Sequence, residues 1–171
     1  GGRGRNPAPS PVKTHALVLG LPLLQPPSLR PEKAQEPLAD LSPDVIVVAA
    51  YGKILPDPIL HTPRHGTINV HASLLPRYRG AAPVHRAIIA GERETGVTMI
   101  RLVREMDAGP MLARVVRSIA DDETSDVVDR ALAELGARLL VSTVHDIATG
   151  QATEQPQDHT LATLAPRLTK E

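Results

Sequence analysis

The chain has 171 residues, of which 42% are hydrophobic, enough for one domain with a packed core. Lys and Arg together number 19, as do Asp and Glu, so any contact with nucleic acid requires a local basic patch. The absence of cysteine excludes disulfides and thiolate chemistry and fits a reducing cytoplasm. No apolar run approaches the roughly 20 residues of a membrane span, and the chain's start lacks a signal-peptide pattern. We therefore expect a cytoplasmic protein.

The first part of the chain predicts short elements. Ser10, followed by Pro11, is a typical helix start, and Gly20 is a typical helix end. Residues 21–25 are interpreted as a short strand. Residues 31–42 have a helical pattern that Pro37 should shorten or kink.

Apolar runs and helical patterns then alternate. Residues 45–50 are an uninterrupted apolar run, as expected for a strand buried on both faces of a parallel sheet. We expect further strands at 67–71, 97–103 and 111–119, the last pairing with its neighbour, and a helix at 82–90.

The last predicted element is a long helix that begins at Thr124 or Ser125 and ends at Gly150. The alternation of strands and helices predicts the α/β class, with an open, mostly parallel, Rossmann-like sheet. In such sheets, ligands bind beyond the carboxyl ends of the strands.

Three polar side chains stand where predicted strands open into loops. Asn69 and His71 are two residues apart, so on a strand they share one face. Asp107 begins the sequence Asp-Ala-Gly-Pro. An amide donor, an imidazole and a carboxylate are the groups from which an acyl-transfer site can be built.

The sequence around these residues resembles that of methionyl-tRNA formyltransferases. The resemblance rests on NVHASLLPRYRGAAP at 69–83, ETGVT at 94–98 and DAG at 107–109, with GRGR at 2–5, residues 47–56 and APRLTKE at 165–171. It implies transfer of the formyl group of 10-formyltetrahydrofolate to the amino group of initiator methionyl-tRNA in translation initiation. It implies no metal and no obligate protein partner.

The residue chemistry assigns each group a role. Asn69 can donate to the oxyanion that forms at the formyl carbon. His71 can donate to that oxyanion or relay a proton. Asp107 can orient His71 and accept a proton. Each also has a structural alternative: Asn69 as a turn residue, His71 as a buried histidine, and Asp107 as the start of a turn.

The resemblance further implies binding surfaces. The folate would be seated by Ser73, Leu74, Leu75 and Pro76 and walled by Ile54, Leu55 and Pro56, although loop packing alone would also explain these apolar residues. Arg3 and Arg5 lie in a basic loop that meets the tRNA in the family, although two arginines in a loop are often merely solvated. Residues 103–106 depart from the small, glycine-containing stretch expected before Asp107.

Two other functions stay open at this point. One is formyl transfer to a small amine such as glycinamide ribonucleotide or an amino sugar, in enzymes that usually lack the loop at 2–13. The other is a noncatalytic folate-binding or RNA-binding remnant. We expect residues 1–150 to form a formyltransferase domain and 151–171 a tail towards a further domain. Family members begin with a strand, a helix and a strand ahead of the basic loop. We therefore expect a sheet that is incomplete at its N-terminus, and a 171-residue chain that folds poorly or associates and has little activity.

Overall fold

Four strands of the described residues, 9–169, form one open sheet in this computed structural model. The strands are β1 (Ile46–Ala49), β2 (Thr67–His71), β3 (Glu94–Arg101) and β4 (Met111–Ser118), in that spatial order. The helices are α1 (Pro11–Val18), α2 (Glu36–Asp40), α3 (Asp57–His61), α4 (Pro83–Ile89) and α5 (Ser125–Ala148), with 3-10 turns at Glu32–Ala34 and His159–Leu161. No helix in this part of the chain is both long and apolar enough to cross a membrane.

The expected open α/β sheet is confirmed, but its pairing is mixed rather than mostly parallel. β1 and β2 run parallel, whereas β2 with β3 and β3 with β4 run antiparallel. Only residues 102–110 join β3 to β4, and a parallel crossover needs about a dozen residues or more. The short connection therefore fixes these two strands as an antiparallel pair.

The main core lies between α5 and one face of the sheet. Val128 and Leu132 of α5 pack against Val97 and Met99 of β3, all buried. Burial of side chains of this size contributes about 1.5–3 kcal/mol each. A smaller cluster on the opposite face contains Leu75, Ile100 and Met111. The sheet thus separates a helix-covered face from the face that carries the polar motif.

The start and end of two predicted helices follow their sequence signals. The Ser10 hydroxyl accepts a hydrogen bond from the Lys13 amide at 3.2 Å, and Gly20 follows α1 with φ of +64°. A left-handed glycine just after a helix is a common stop. Helix α5 begins after Thr124 and ends just before Gly150, as predicted.

In the N-terminal part, two predictions were wrong and one was confirmed. Residues 21–25 form no strand. The helix predicted at 31–42 is shortened as expected: it divides into a 3-10 turn and the short α2, with Pro37 in the first turn of α2, where its missing N–H is tolerated. The apolar run at 45–50 gives β1 but is not buried on both faces, since Val47 is 40% exposed. The run identified a strand, but its burial depends on which elements cover each face.

The segment after α5 packs back onto the sheet and its loops. Gln155 and Met111 exchange two backbone hydrogen bonds of 2.8 Å, and Ala165 donates its amide to the Arg79 carbonyl at 2.7 Å. The division into a domain at 1–150 and a tail at 151–171 stays a prediction. Residues 155–165 nevertheless contact the loops that hold the polar motif.

Candidate active site

Strand β2 directs Asn69 and His71 to the face of the sheet opposite α5. Val70, between them, faces α5 so closely that a Cβ on Gly136 would lie 3.1 Å from its Cγ1. Because strand side chains alternate, the two polar neighbours project the other way. His71 is buried, whereas Asn69 is half-buried. The side-chain amide of Asn69 makes no hydrogen bond to the rest of the described chain. The Asn69 amide is thus free to meet a ligand.

The imidazole of His71 is held between a carbonyl and a carboxylate. Its Nε2 lies 3.0 Å from the carbonyl oxygen of Tyr78, and its Nδ1 lies 3.6 Å from Oδ2 of Asp107. A backbone carbonyl can only accept a hydrogen bond, so this contact requires the proton on Nε2. Nδ1 is then the ring nitrogen that faces the acid.

Asp107 is fixed by its own backbone and by a neighbouring loop. Its φ is +49°, in the left-handed region that Asp tolerates better than most side chains. The Gly80 amide donates to its Oδ2 at 2.9 Å. Two residues on, a Cβ at Gly109 would lie only 1.8 Å from the Arg101 carbonyl oxygen, so the loop can lie this close to β3 only with glycine there. Both contacts hold the carboxylate beside His71.

The loop after β2 is anchored by Thr98 of β3. The Thr98 hydroxyl donates to the Ser73 carbonyl at 2.6 Å and accepts from the Leu75 amide at 3.2 Å. The Ser73 hydroxyl donates to the Arg77 carbonyl at 2.7 Å. Ser73 and Leu75 are both buried by the protein itself, backbone included, so in this structure they support the loop from within.

The remaining residues predicted to bind folate lie at the same edge of the sheet. β1 and β2 are parallel with Ala49 opposite Val70, so the loops that follow them, at 50–56 and 72–76, leave the sheet side by side. Leu74 and Pro76 are half-buried, as are Leu55 and Pro56, while Ile54 is 85% exposed. Their predicted contact with folate stays a prediction, and Arg3 and Arg5 lie outside the described residues.

A polar cluster anchors the loop whose carbonyl contacts His71. The Tyr78 hydroxyl donates to Glu92 at 2.6 Å, and Arg77 forms a salt bridge with the same carboxylate. The hydrogen bond from Tyr78, with help from Arg77, lowers the pKa of Glu92. Desolvation, and then the bond to Glu92, raises the pKa of Tyr78. The cluster fixes the side chain of Tyr78, and the backbone carbonyl of the same residue accepts the hydrogen bond from the His71 imidazole.

Sequence reasoning missed three contributors to the site. Thr98 anchors the loop after β2, the Gly80 amide binds Asp107, and Gln157 hydrogen-bonds to the carbonyl of Asp107 at 2.8 Å. None belongs to a pattern that predicts such a role, and Gln157 lies in the segment expected to be a tail. Gly80 and Thr98 lie in the segments at 69–83 and 94–98 that carry the resemblance, but no role was predicted for either.

The open α/β sheet thus brings the amide and the imidazole of β2 together with the carboxylate of the loop at 102–110, the groups from which a group-transfer site can be built. The sequence profile of the formyl transferase family matches residues 1–144, and the chain belongs to this family.

Curated relatives refine the likeness. The chain is 50% identical over 169 residues to the methionyl-tRNA formyltransferase of Methylococcus capsulatus, covering 99% of this chain and 55% of that protein. It spans about half the length of the curated relatives it matches.

Solved structures share the fold. Phosphoribosylglycinamide formyltransferase from Bacillus halodurans matches with a TM-score of 0.72 and 26% identity, over 84% of this chain and 78% of that one. The sugar 3N-formyl transferase WlaRD, solved with dTDP and 5-N-formyl-THF, matches with a TM-score of 0.72 and 17% identity, over 91% and 53% of the two chains.

Proposed function

We propose that this protein transfers the formyl group of 10-formyltetrahydrofolate to the amino group of initiator methionyl-tRNA. The observation that carries the proposal is the pairing of His71 with Asp107 beside Asn69, whose amide is free. Identity of 50% to a protein named methionyl-tRNA formyltransferase supports the choice of acceptor. The formyl-folate bound to a solved protein of the same fold supports the choice of donor.

The reaction begins when the neutral α-amine of the methionyl group attacks the formyl carbon. An α-amine has a pKa of about 7.7–8.0, so part of it is neutral near pH 7. The attack forms a C–N bond and places negative charge on the formyl oxygen. The Asn69 amide is an uncharged donor on the open face of β2 and would stabilise this oxyanion.

The attacking amine must also lose a proton. Asp107 uses Oδ2 for Gly80 and His71, while its Oδ1 makes no hydrogen bond to residues 9–169 and can accept that proton directly or through water. The proton then moves from Asp107 to Nδ1 of His71, the ring nitrogen that faces the acid, and the positive charge of the imidazolium helps to stabilise the oxyanion. From Nδ1 the proton passes to the folate nitrogen as the C–N bond to the donor breaks. The proton released by the amine thus replaces the formyl group on the folate.

Substrate binding extends beyond these three residues. The parallel loops at 50–56 and 72–76 would seat the folate, through Ile54, Leu55 and Pro56 on one side and the segment Ser73–Leu74–Leu75–Pro76 on the other. Arg3 and Arg5 would contact the phosphates of the tRNA. This mechanism requires no metal ion. We place the protein in the cytoplasm, where translation begins.

The test uses the full-length gene product that contains this chain. It is incubated with 10-formyltetrahydrofolate and methionyl-tRNA, and formylmethionyl-tRNA is quantified by chromatography after hydrolysis. Parallel reactions offer glycinamide ribonucleotide or a nucleotide-linked amino sugar. We expect product with methionyl-tRNA, and about 10²–10³-fold less with Asn69→Ala. The exposed amide variant Gln151→Ala is the control and should match the wild type.

Two results would contradict the proposal. Formylation of a small amine but not of methionyl-tRNA would assign the chain to the small-amine formyltransferases. Binding of folate without any turnover, unchanged by Asn69→Ala, would show a noncatalytic protein.

A further inference from the structure

One buried amide ties the segment after α5 to the acid of the site. Gln157 is only 5% exposed although it lies in the irregular segment between the Gln155–Met111 bridge and the 3-10 turn at His159–Leu161. Its Nε2 donates to the carbonyl oxygens of Asp107, at 2.8 Å, and Gly109, at 2.7 Å. It therefore holds the backbone on both sides of Ala108, in the loop that carries the catalytic carboxylate.

The oxygen of the same carboxamide accepts two hydrogen bonds from a buried arginine side chain. Arg79, 8% exposed, donates to Oε1 of Gln157 from Nε at 3.2 Å and from Nη2 at 2.6 Å. A guanidinium can only donate and a carbonyl can only accept, so the orientation of the carboxamide is fixed by chemistry. Both its N–H groups and both lone pairs of its oxygen are used. A Glu side chain at this position would lack the two N–H donors, and a Met side chain could form none of the four hydrogen bonds.

Arg79 completes a second connection to the acid. The next residue, Gly80, donates its amide to Oδ2 of Asp107, and the Arg79 backbone pairs with Thr163 and Ala165. Gln157 thus holds the main chain of Asp107, while the Arg79–Gly80 backbone holds its carboxylate. The two connections meet at the Arg79 side chain.

We propose that Gln157 is a positioning residue for Asp107. The left-handed conformation of Asp107, with φ of +49°, persists only where its surroundings hold it, and Gln157 accounts for two of the hydrogen bonds that do so. The consequence for catalysis rests on the proposed function. A displacement of about 1 Å in a reacting group lowers rates by up to about 10²-fold.

The experiment compares two replacements of Gln157 with a matched control in the full-length gene product. Gln157→Glu keeps the acceptor for Arg79 but sets a negative charge against two carbonyl oxygens. Gln157→Met keeps the length and removes all four hydrogen bonds. The control, Gln155→Glu, makes the same change of charge two residues away, on an exposed side chain that makes no hydrogen bond within residues 9–169.

Three readouts separate positioning from general instability. The first is kcat, expected to fall about 10- to 100-fold in both Gln157 variants, while KM for formyl-folate and for tRNA stays within about twofold. The second is hydrogen exchange of the Gly80 amide without substrates, expected to accelerate at least tenfold because its acceptor moves. The third is the exchange of core amides in β3, expected to stay unchanged. Gln155→Glu should match the wild type in all three.

The outcomes distinguish this inference from the proposed function. An active wild type with unchanged kcat and unchanged Gly80 exchange in both variants would overturn the inference and leave the proposed function intact. A wild type that does not formylate methionyl-tRNA would refute the proposed function, and the Gly80 exchange would still test whether Gln157 holds Asp107. Should Gln157→Glu fail to fold, Gln157→Met gives the same comparison.

Discussion

Oδ2 of Asp107 lies 3.6 Å from Nδ1 of His71, and the two residues are 36 positions apart in the chain. This distance is longer than a hydrogen bond, but it is short enough for an electrostatic interaction. A small movement would bring the two atoms within hydrogen-bonding distance when a proton lies between them. Because Nε2 is committed to the Tyr78 carbonyl, the acid faces the nitrogen that has no other partner in the described structure. The pair can thus act as one unit.

The first prediction concerns that unit. His71→Gln and Asp107→Asn each preserve shape, and the Asn can still accept from the Gly80 amide. Under the proposed function each should lower kcat/KM about 10²–10⁴-fold. The double variant should be hardly worse than either single one, because partners in one proton path are not additive. Steady-state kinetics on all four proteins measures this, and fully additive losses would show that the two residues act separately.

The second prediction concerns the anchor of the motif loop. Thr98→Val leaves the buried Ser73 carbonyl and Leu75 amide without their partner, so the free energy of unfolding should fall by about 1–3 kcal/mol. Thr95→Val, on the same strand, is the control, since the Thr95 hydroxyl makes no hydrogen bond within residues 9–169 and its oxygen is not fully buried, although the residue as a whole is. Urea unfolding at pH 7 should show a much smaller change for it. Equal losses in both variants would contradict the anchoring role of Thr98.

The outlines of β2, β4 and α5 could be predicted because their signals are local. Alternation and apolar runs identify strands, and the spacing of Val128 and Leu132 identifies the face of α5 that packs on the sheet. The direction of β3 could not be predicted, because it depends on how the chain returns after α4. The exposure of Val47 could not either, because an apolar run carries no information on what covers it.

The site shows the same division. Strand periodicity places Asn69 and His71 on one face, and the family resemblance identified Asp107 as a candidate site residue. The contacts that fix them come from Gly80, Tyr78 and Gln157, through backbone atoms or a single amide. Every residue has a backbone carbonyl and every residue except proline has a backbone N–H, so sequence alone gives no sign of which of them hold the site.

The third prediction concerns the glycine beside the acid. Gly109→Ala would place a Cβ 1.8 Å from the Arg101 carbonyl, and the loop must move to relieve this overlap. We expect a loss of stability of about 1–3 kcal/mol or more, together with a fall in kcat, because the same loop carries Asp107. Thermal unfolding and formylation kinetics measure the two effects. A variant with unchanged melting temperature would mean that the loop does not lie this close to β3 in solution.

The fourth prediction concerns pH. The hydrogen bond from Tyr78, followed by the contacts with Arg77, lowers the pKa of Glu92 below its ordinary value of 4.5. A carboxyl group whose pKa is lower in the folded state stabilises the fold above its unfolded pKa. That stabilisation is lost as the pH falls through the folded pKa. Glu92→Gln removes the charge but keeps an acceptor for Tyr78, so it should destabilise the protein at pH 7 and progressively less below about pH 4.5.

Melting temperatures of the wild type and Glu92→Gln between pH 7 and pH 3 measure this difference. Glu94→Gln, the same change on an exposed neighbour outside any salt bridge of the described chain, is the control and should differ little from the wild type throughout. The surface position of Arg77 and screening by salt keep the effect modest, so it should be larger at low ionic strength. A gap between Glu92→Gln and the wild type that stays constant down to pH 3 would show that the charge of Glu92 does not stabilise this loop.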